Sequence, residues 1–171
     1  MPRRLTRSFY RQDATTVARS LLGQKLVRVI DGKRLTGLIV ETEAYLGLAD
    51  KAAHSRNGRR TTRNESMWSE GGHAYVYFVY GMHHCLNVVA GRAGDPVAVL
   101  LRGLQPVEGL KQMRRRRGRT KLDTELCSGP GKLCQALAID RALDGVDLLA
   151  SDILTIESYS NSMGRIGVSP R

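Results

Sequence analysis

Cysteine is scarce in this 171-residue chain: Cys85, Cys127 and Cys134 are an odd set, and no two stand in a Cys-x-x-Cys spacing. That argues against a disulfide framework and for reduced thiols. No apolar run approaches the ~20 residues of a membrane-spanning helix, so no membrane partner is expected. The opening Met1-Pro2-Arg3-Arg4-Leu5 lacks the hydrophobic stretch that export requires. The expectation is a soluble, intracellular protein, in the cytoplasm or nucleoid if the source is a bacterium. Acidic residues are also few, 16 Asp and Glu against 27 Lys and Arg, a net charge of +11. Such an excess favours polyanionic partners through counterion release, although solubility or a ribosome-associated habit would fit it too. Neither an internal repeat nor a linker-like stretch interrupts the chain, so residues 1–171 read as a single domain with enough length for a substantial core.

What the chain does have is alternation. Asp13 suits a helix cap ahead of Val17, Ala18, Leu21 and Leu22, with Gly23 as a stop. Residues 25–30 and 35–45 read as strands joined by a turn at Asp31-Gly32. Residues 46–72 are polar and carry Arg56, Arg59, Arg60 and Arg63; an ordered loop packed around a site is expected there. Residues 74–80 and 84–90 form a hairpin turning near Gly81-Met82, and 97–104 is a further apolar strand. Pro106 is expected to open a helix carrying Val107, Leu110 and Met113 into Arg114–Arg117. Pro130 sits in the first turn of a helix over 132–139, and 153–157 is a last strand. Strands in a cluster, with helices between and after them, make the class α+β rather than a doubly wound sheet.

The densest chemical signal is Glu41-Thr42-Glu43-Ala44-Tyr45. On a strand, Glu41, Glu43 and Tyr45 share one face. Neighbouring carboxylates suit a general base, and an Arg between them would serve structurally just as well; the spacing does not choose between Glu41 and Glu43. Tyr75 and Tyr77 also share a face, for stacking or for ordinary sheet packing. Tyr80 stands beside the turn, a poor place for a core residue and a good one for a wedge between base pairs. A carboxylate beside aromatic faces in a basic protein fits water activation next to a flat ligand, the obvious one being a nucleobase drawn out of its stack.

Metal chemistry has little support: His54, His83, His84 and Cys85 match no zinc spacing, so no metal is expected. The run from Arg114 to Arg119 reads as a solvated helix end with phosphate contacts at most. Ser128-Gly129-Pro130-Gly131-Lys132 offers helix amides to a phosphate but lacks the Walker spacing.

Several stretches, in order through most of the chain, resemble the alkyladenine (3-methyladenine) DNA glycosylases of the mammalian type, a family with bacterial members. They are Val40-Glu-Thr-Glu-Ala-Tyr-Leu-Gly47, Ala52-Ala-His-Ser-Arg56, Thr61-Thr-Arg-Asn64, Tyr75-Val-Tyr-Phe-Val-Tyr-Gly-Met82, Leu86-Asn87, Val99-Leu-Leu-Arg102 and Leu126-Cys-Ser-Gly-Pro-Gly-Lys-Leu-Cys-Gln-Ala-Leu137. Thr16 to Leu26 fits as well. The resemblance implies a curved antiparallel sheet surrounded by helices, with a protruding hairpin. It implies Glu43 as the water-activating base and Arg102 near the water and the DNA backbone. Tyr45, His54 and Tyr77 would hold the flipped base, Asn87 would exclude the amino group of guanine from the pocket floor, and Tyr80 would be the minor-groove wedge. The implied partner is damaged double-stranded DNA, met by a monomer without metal or cofactor. No Lys falls in the motif, so a monofunctional enzyme is implied rather than a Schiff-base lyase.

Two departures stand out. Gly71-Gly72 replaces the family's Pro-Gly, which is expected to loosen the approach to the hairpin strand. The family pattern also continues past Ser169-Pro170-Arg171 into an aromatic-rich segment, so the sequence reads as part of a longer protein or as one that has lost that segment. The rival readings are a non-catalytic DNA-binding module, which retention of Glu43 argues against, and a metallohydrolase using His54, His83 and Cys85.

Overall fold

The computed structural model describes residues 2–118 and 121–160. Among these residues seven strands form one antiparallel sheet: β1 (Arg3–Arg4), β2 (Lys25–Ile30), β3 (Lys33–Tyr45), β4 (Ala74–Val79), β5 (His83–Ala90), β6 (Val97–Glu108) and β7 (Leu154–Ser158). Their order across the sheet is β1-β7-β2-β3-β6-β5-β4, and the sheet curls into a half-barrel. Five α-helices accompany it among the described residues: α1 (Arg7–Tyr10), α2 (Ala14–Leu21), α3 (Leu110–Arg117), α4 (Asp123–Leu126) and α5 (Pro130–Ala136). The α+β expectation holds. No helix among the described residues is long and apolar enough to cross a membrane.

Both faces of the β4–β5–β6 end are buried, so these strands carry apolar residues at nearly every position. One face packs Ala74, Val76, Leu86, Val88, Val99 and Leu101 against a core shared with α2, α3 and α5. The other face presents Tyr75, Tyr77, Cys85, Val89, Ala98 and Leu100 to Ala53 and Met67 from the segment between β3 and β4. That segment is built of turns and two short 3-10 helices, and is an ordered wall over the sheet.

Several local rules act as anticipated. The Asp13 carboxylate accepts the Thr16 amide at 3.0 Å and caps α2. Asp31 and Gly32 both have positive φ in the β2–β3 turn, as a tight hairpin connection requires. Pro130 opens α5, which ends at Ala136 rather than running to 139.

Pro106 is a correction. It opens no helix but lies within β6, opposite Gly37. Strand β5 flanks β6 only from Val97 to Leu100, so among the described residues the far part of β6 has a single neighbouring strand. A residue without an amide hydrogen is tolerated on such an edge. Helix α3 starts instead after Gly109, whose φ is +81°. The arginine run is also less free than expected. Arg114 pairs with Asp123, Arg116 donates to the Ala136 carbonyl at 3.1 Å, and Arg117 donates to the Leu126 carbonyl and to Gln135. These side chains bolt α3 to α4 and α5; Arg119 lies outside the described residues.

The Gly71-Gly72 approach is tight rather than loose. The Gly71 amide donates to the Gly91 carbonyl at 3.0 Å and the Gly72 amide to Val89 at 2.8 Å. A Cβ at Gly71 would lie 2.6 Å from the Gly91 oxygen and 2.7 Å from the Tyr10 oxygen, so any side chain there would force this backbone to shift.

Candidate active site

A pair of compensating bulges in the β3–β6 ladder sets up the site. Ile39 pairs with Leu104, Glu41 with Gly103 and Thr42 with Leu101, which leaves Val40 and Arg102 as extra residues on their strands. A bulge re-aims its side chain. Here it brings the Arg102 guanidinium between both carboxylates: Nε donates to Glu41 Oε1 at 3.2 Å, and a terminal nitrogen donates to Glu43 Oε2 at 2.9 Å. The two acids left open by spacing thus share one arginine, and Glu43 is the less exposed of them. Thr42 points to the opposite face, where its hydroxyl donates to the Ala18 carbonyl at 2.9 Å.

Beside Glu43 lies a small pocket. Tyr45 of β3, Tyr75 and Tyr77 of β4 and Asn87 of β5 form its sheet side, and Ala52, His54 and Met67 its outer wall. Tyr45, His54, Tyr77 and Asn87 therefore converge, whereas Glu43 and Arg102 sit next to the pocket rather than in its lining. His54 meets Tyr77 edge-on, with ring centroids 4.4 Å apart and planes at 78°. Its inner space measures about 20 Å³, room for roughly one water molecule, and it opens on one side toward a larger groove.

Met67 carries no signal in the sequence, while Tyr75 is legible there only as sharing a face with Tyr77. The Tyr75 hydroxyl lies 2.7 Å from His54 Nδ1. Burial foremost, then the nearby Arg63 and Arg59 charges, pull the His54 pKa down and favour the neutral ring. Desolvation raises the hydroxyls of Tyr75 and Tyr77, and Tyr45 is pushed up to about 12 by burial and by the Glu43 carboxylate beside it. These phenols stay protonated near neutrality. Asn87 is 1% exposed and donates to the Tyr75 carbonyl at 3.2 Å, which immobilises it on the pocket side.

An open basic groove of about 500 Å³ adjoins the pocket, shares Ala52, His54 and Tyr75 with it, and is bordered by Lys51, Arg56, Arg59 and Arg63, the last with its guanidinium held by the Phe78 carbonyl. Tyr80 stands apart from the pocket at the hairpin tip, 91% exposed. The turn centres on Tyr80 and Gly81, both with positive φ, +53° and +65°, one residue before the sequence reading placed it. For a bulky aromatic residue that conformation is strained. Of the histidines considered for a metal, His83 packs on Gly131 and His84 against the Phe78 ring, while Cys85 is buried. Among the described residues no three His, Cys, Asp or Glu side chains gather as a metal site would require.

Comparison with known proteins follows this geometry. The sequence pattern of the family described as methylpurine-DNA glycosylase matches residues 8–171. A DNA-3-methyladenine glycosylase of Mus musculus is 53% identical over 163 residues, which cover 90% of this chain and 48% of the mouse protein. Two Bacillus cereus proteins, from strains Q1 and G9842, carry the provisional name 3-methyladenine DNA glycosylase. They are 46% and 47% identical, each match covering 96% of this chain and 84% of the relative. The chain spans about half the length of the mouse relative and most of the bacterial ones.

Proposed function

The chain belongs to the methylpurine-DNA glycosylase family, and with it to the DNA-3-methyladenine glycosylases of DNA repair; from that premise we propose that it excises alkylated and deaminated purines from damaged double-stranded DNA. Its substrates are 3-methyladenine, hypoxanthine and ethenoadenine, and its product is an abasic site. The carrying observation is the Glu43 carboxylate, held by Arg102 through one oxygen beside a pocket walled by three tyrosines and a histidine.

Glu43 takes a proton from a water molecule as that water's oxygen bonds to the anomeric carbon of the deoxyribose. The bond from that carbon to the purine breaks, and its electron pair goes to the base. A purine alkylated at a ring nitrogen, as in 3-methyladenine, is cationic and leaves as a neutral molecule, whereas hypoxanthine and ethenoadenine are neutral and take a proton from solvent as they leave. Neither path calls on a covalent enzyme intermediate, metal or cofactor. Tyr45 and Tyr77 stack on the flipped base, and aromatic faces favour a cationic ring. His54, kept neutral by its surroundings, adds no positive charge against it. Asn87 closes the floor against the amino group of guanine. Tyr80 fills the gap left in the duplex, and Lys51, Arg56 and Arg59 meet phosphates along the groove. The enzyme works as a monomer inside the cell.

The test is base release from duplexes carrying one hypoxanthine, ethenoadenine or 3-methyladenine, with wild type beside Glu43→Gln. Wild type releases the base, and the variant binds the same DNA but is slower by about 10²–10⁴-fold, the range for loss of a general base. Equal release by both would remove Glu43 from the chemistry. Stoichiometric metal in active protein would count against the mechanism.

A further inference from the structure

We propose that the adjacent residues Arg63 and Asn64 couple the wedge hairpin to the pocket wall, so that insertion of Tyr80 and opening of the base pocket are one event. The inference rests on the glycosylase reading above and adds positioning residues to it.

Asn64 is 3% exposed, and its amide group is fully engaged. Oδ1 accepts the Thr61 amide at 2.7 Å and the Thr61 hydroxyl at 3.4 Å; Nδ2 donates to the carbonyls of Arg59 at 2.8 Å and His54 at 3.2 Å. A buried amide with its donors and acceptors filled is rigid, and removing one partner leaves the others unsatisfied. It therefore sets the path of the chain from 54 to 61, including the backbone that carries the His54 ring. Ser55 next to it is buried, and its hydroxyl anchors the arc to the Pro96 carbonyl at 3.1 Å.

Arg63 reaches the other way. Its guanidinium donates to the Phe78 carbonyl, two residues before Tyr80. Its own carbonyl accepts from Arg141 at 3.3 Å, and the same Arg141 nitrogen donates to the Val76 carbonyl at 3.0 Å. Among the described residues strand β4 is the edge of the sheet, with no strand beside its outward groups at Val76 and Phe78. The outward Val76 amide is met by Asp144 at 2.9 Å, so side chains replace the missing strand along this edge. Beyond it β6 no longer flanks β5, which it pairs with only from Asn87 to Ala90, and the hairpin rests on α5 through His83 and Gly131.

One peptide bond thus joins a grip on the hairpin to a grip on the His54 arc. Movement of Phe78 as Tyr80 enters the base stack passes through residues 63 and 64 to the pocket wall. The narrow inner pocket of the free protein, about 20 Å³, is consistent with a wall that widens on insertion.

The experiment is single-turnover excision of hypoxanthine under saturating enzyme, from a duplex and from a single strand, by wild type, Arg63→Met, Tyr80→Ala and the double variant. Arg63→Met slows the duplex reaction by about tenfold or more, the scale for an ångström-sized misplacement, and leaves the single-strand rate within about twofold of wild type. The double variant is no slower on duplex than Tyr80→Ala alone, because the link has nothing left to transmit. The salt dependence of DNA binding is unchanged. Multiplicative losses in the double variant, or equal losses on both substrates, would overturn the coupling. A salt slope lower by about one would identify Arg63 as a phosphate contact instead and would also overturn it. Asn64→Asp, which keeps the acceptor and loses both donors, slows both substrates; wild-type speed would sink its part. Should that variant not fold, the exposed Arg63 series decides alone. A wild-type protein that excises nothing would instead refute the glycosylase reading itself.

Discussion

Tyr80→Asn is expected to make the protein more stable and less useful. Tyr80 is held at φ +53°, a left-handed conformation that costs an ordinary residue about 1–2 kcal/mol. Asn tolerates that region because its short amide bonds locally. The Tyr80 side chain is 91% exposed, so truncating it forfeits almost no buried apolar area. The net effect is a gain of about 1 kcal/mol, which for a domain of this size raises Tm by roughly 2–4 °C. Calorimetry reads that gain, while excision assays on the same preparations show a loss on duplex DNA larger than on single strands. A lower Tm would refute the reasoning, since it would mean that the ring packs against something in the free protein. Equal losses on the two substrates would refute the wedge. The pairing of strain with exposure is what a residue kept for a bound partner should show.

Gly71→Ala should cost about 2 kcal/mol, because its Cβ would sit within 2.7 Å of two backbone oxygens that no rotamer change can move; a Tm within 1 °C of wild type, read with about the same scaling, would contradict this packing. Asn87→Ser opens the immobilised floor and is expected to raise release of undamaged guanine roughly tenfold, measured as free base from lesion-free DNA; unchanged release would end its gatekeeping role. The His54 pKa is lower folded than unfolded, so the unfolded chain takes up the proton first as pH falls. Its contribution is present above about pH 6.5 and is lost as pH drops through the folded value. Urea melts of His54→Gln should therefore decline less steeply below that pH than those of wild type, and parallel curves would show that the ring does not titrate as described.

Local rules made much of this molecule legible. Alternation put Glu43 with Tyr45 and Tyr75 with Tyr77, because a strand repeats every two residues whatever surrounds it. Asp13 and Pro130 marked helix starts through bonds made within one turn. The same reasoning failed at Pro106, where the lack of a second neighbour for β6 outweighed the residue's helix-opening habit. It failed at the arginine run as well, since charge composition says nothing about which carbonyls of α4 and α5 lie within reach.

The resemblance to a known family supplied roles that no spacing could assign, and the comparisons bear out the family itself. The strands, the faces their side chains share, the basic balance and the aromatic hairpin tip are legible in chain order, because each depends on near neighbours. That Arg102 lies between Glu41 and Glu43, that Tyr75 bonds His54, and that Asn64 and Arg63 grip opposite sides of the site emerges only on folding. Those contacts depend on ladder register, on paired bulges and on a sheet edge, which are set by residues far apart in the chain and brought together only when the sheet closes.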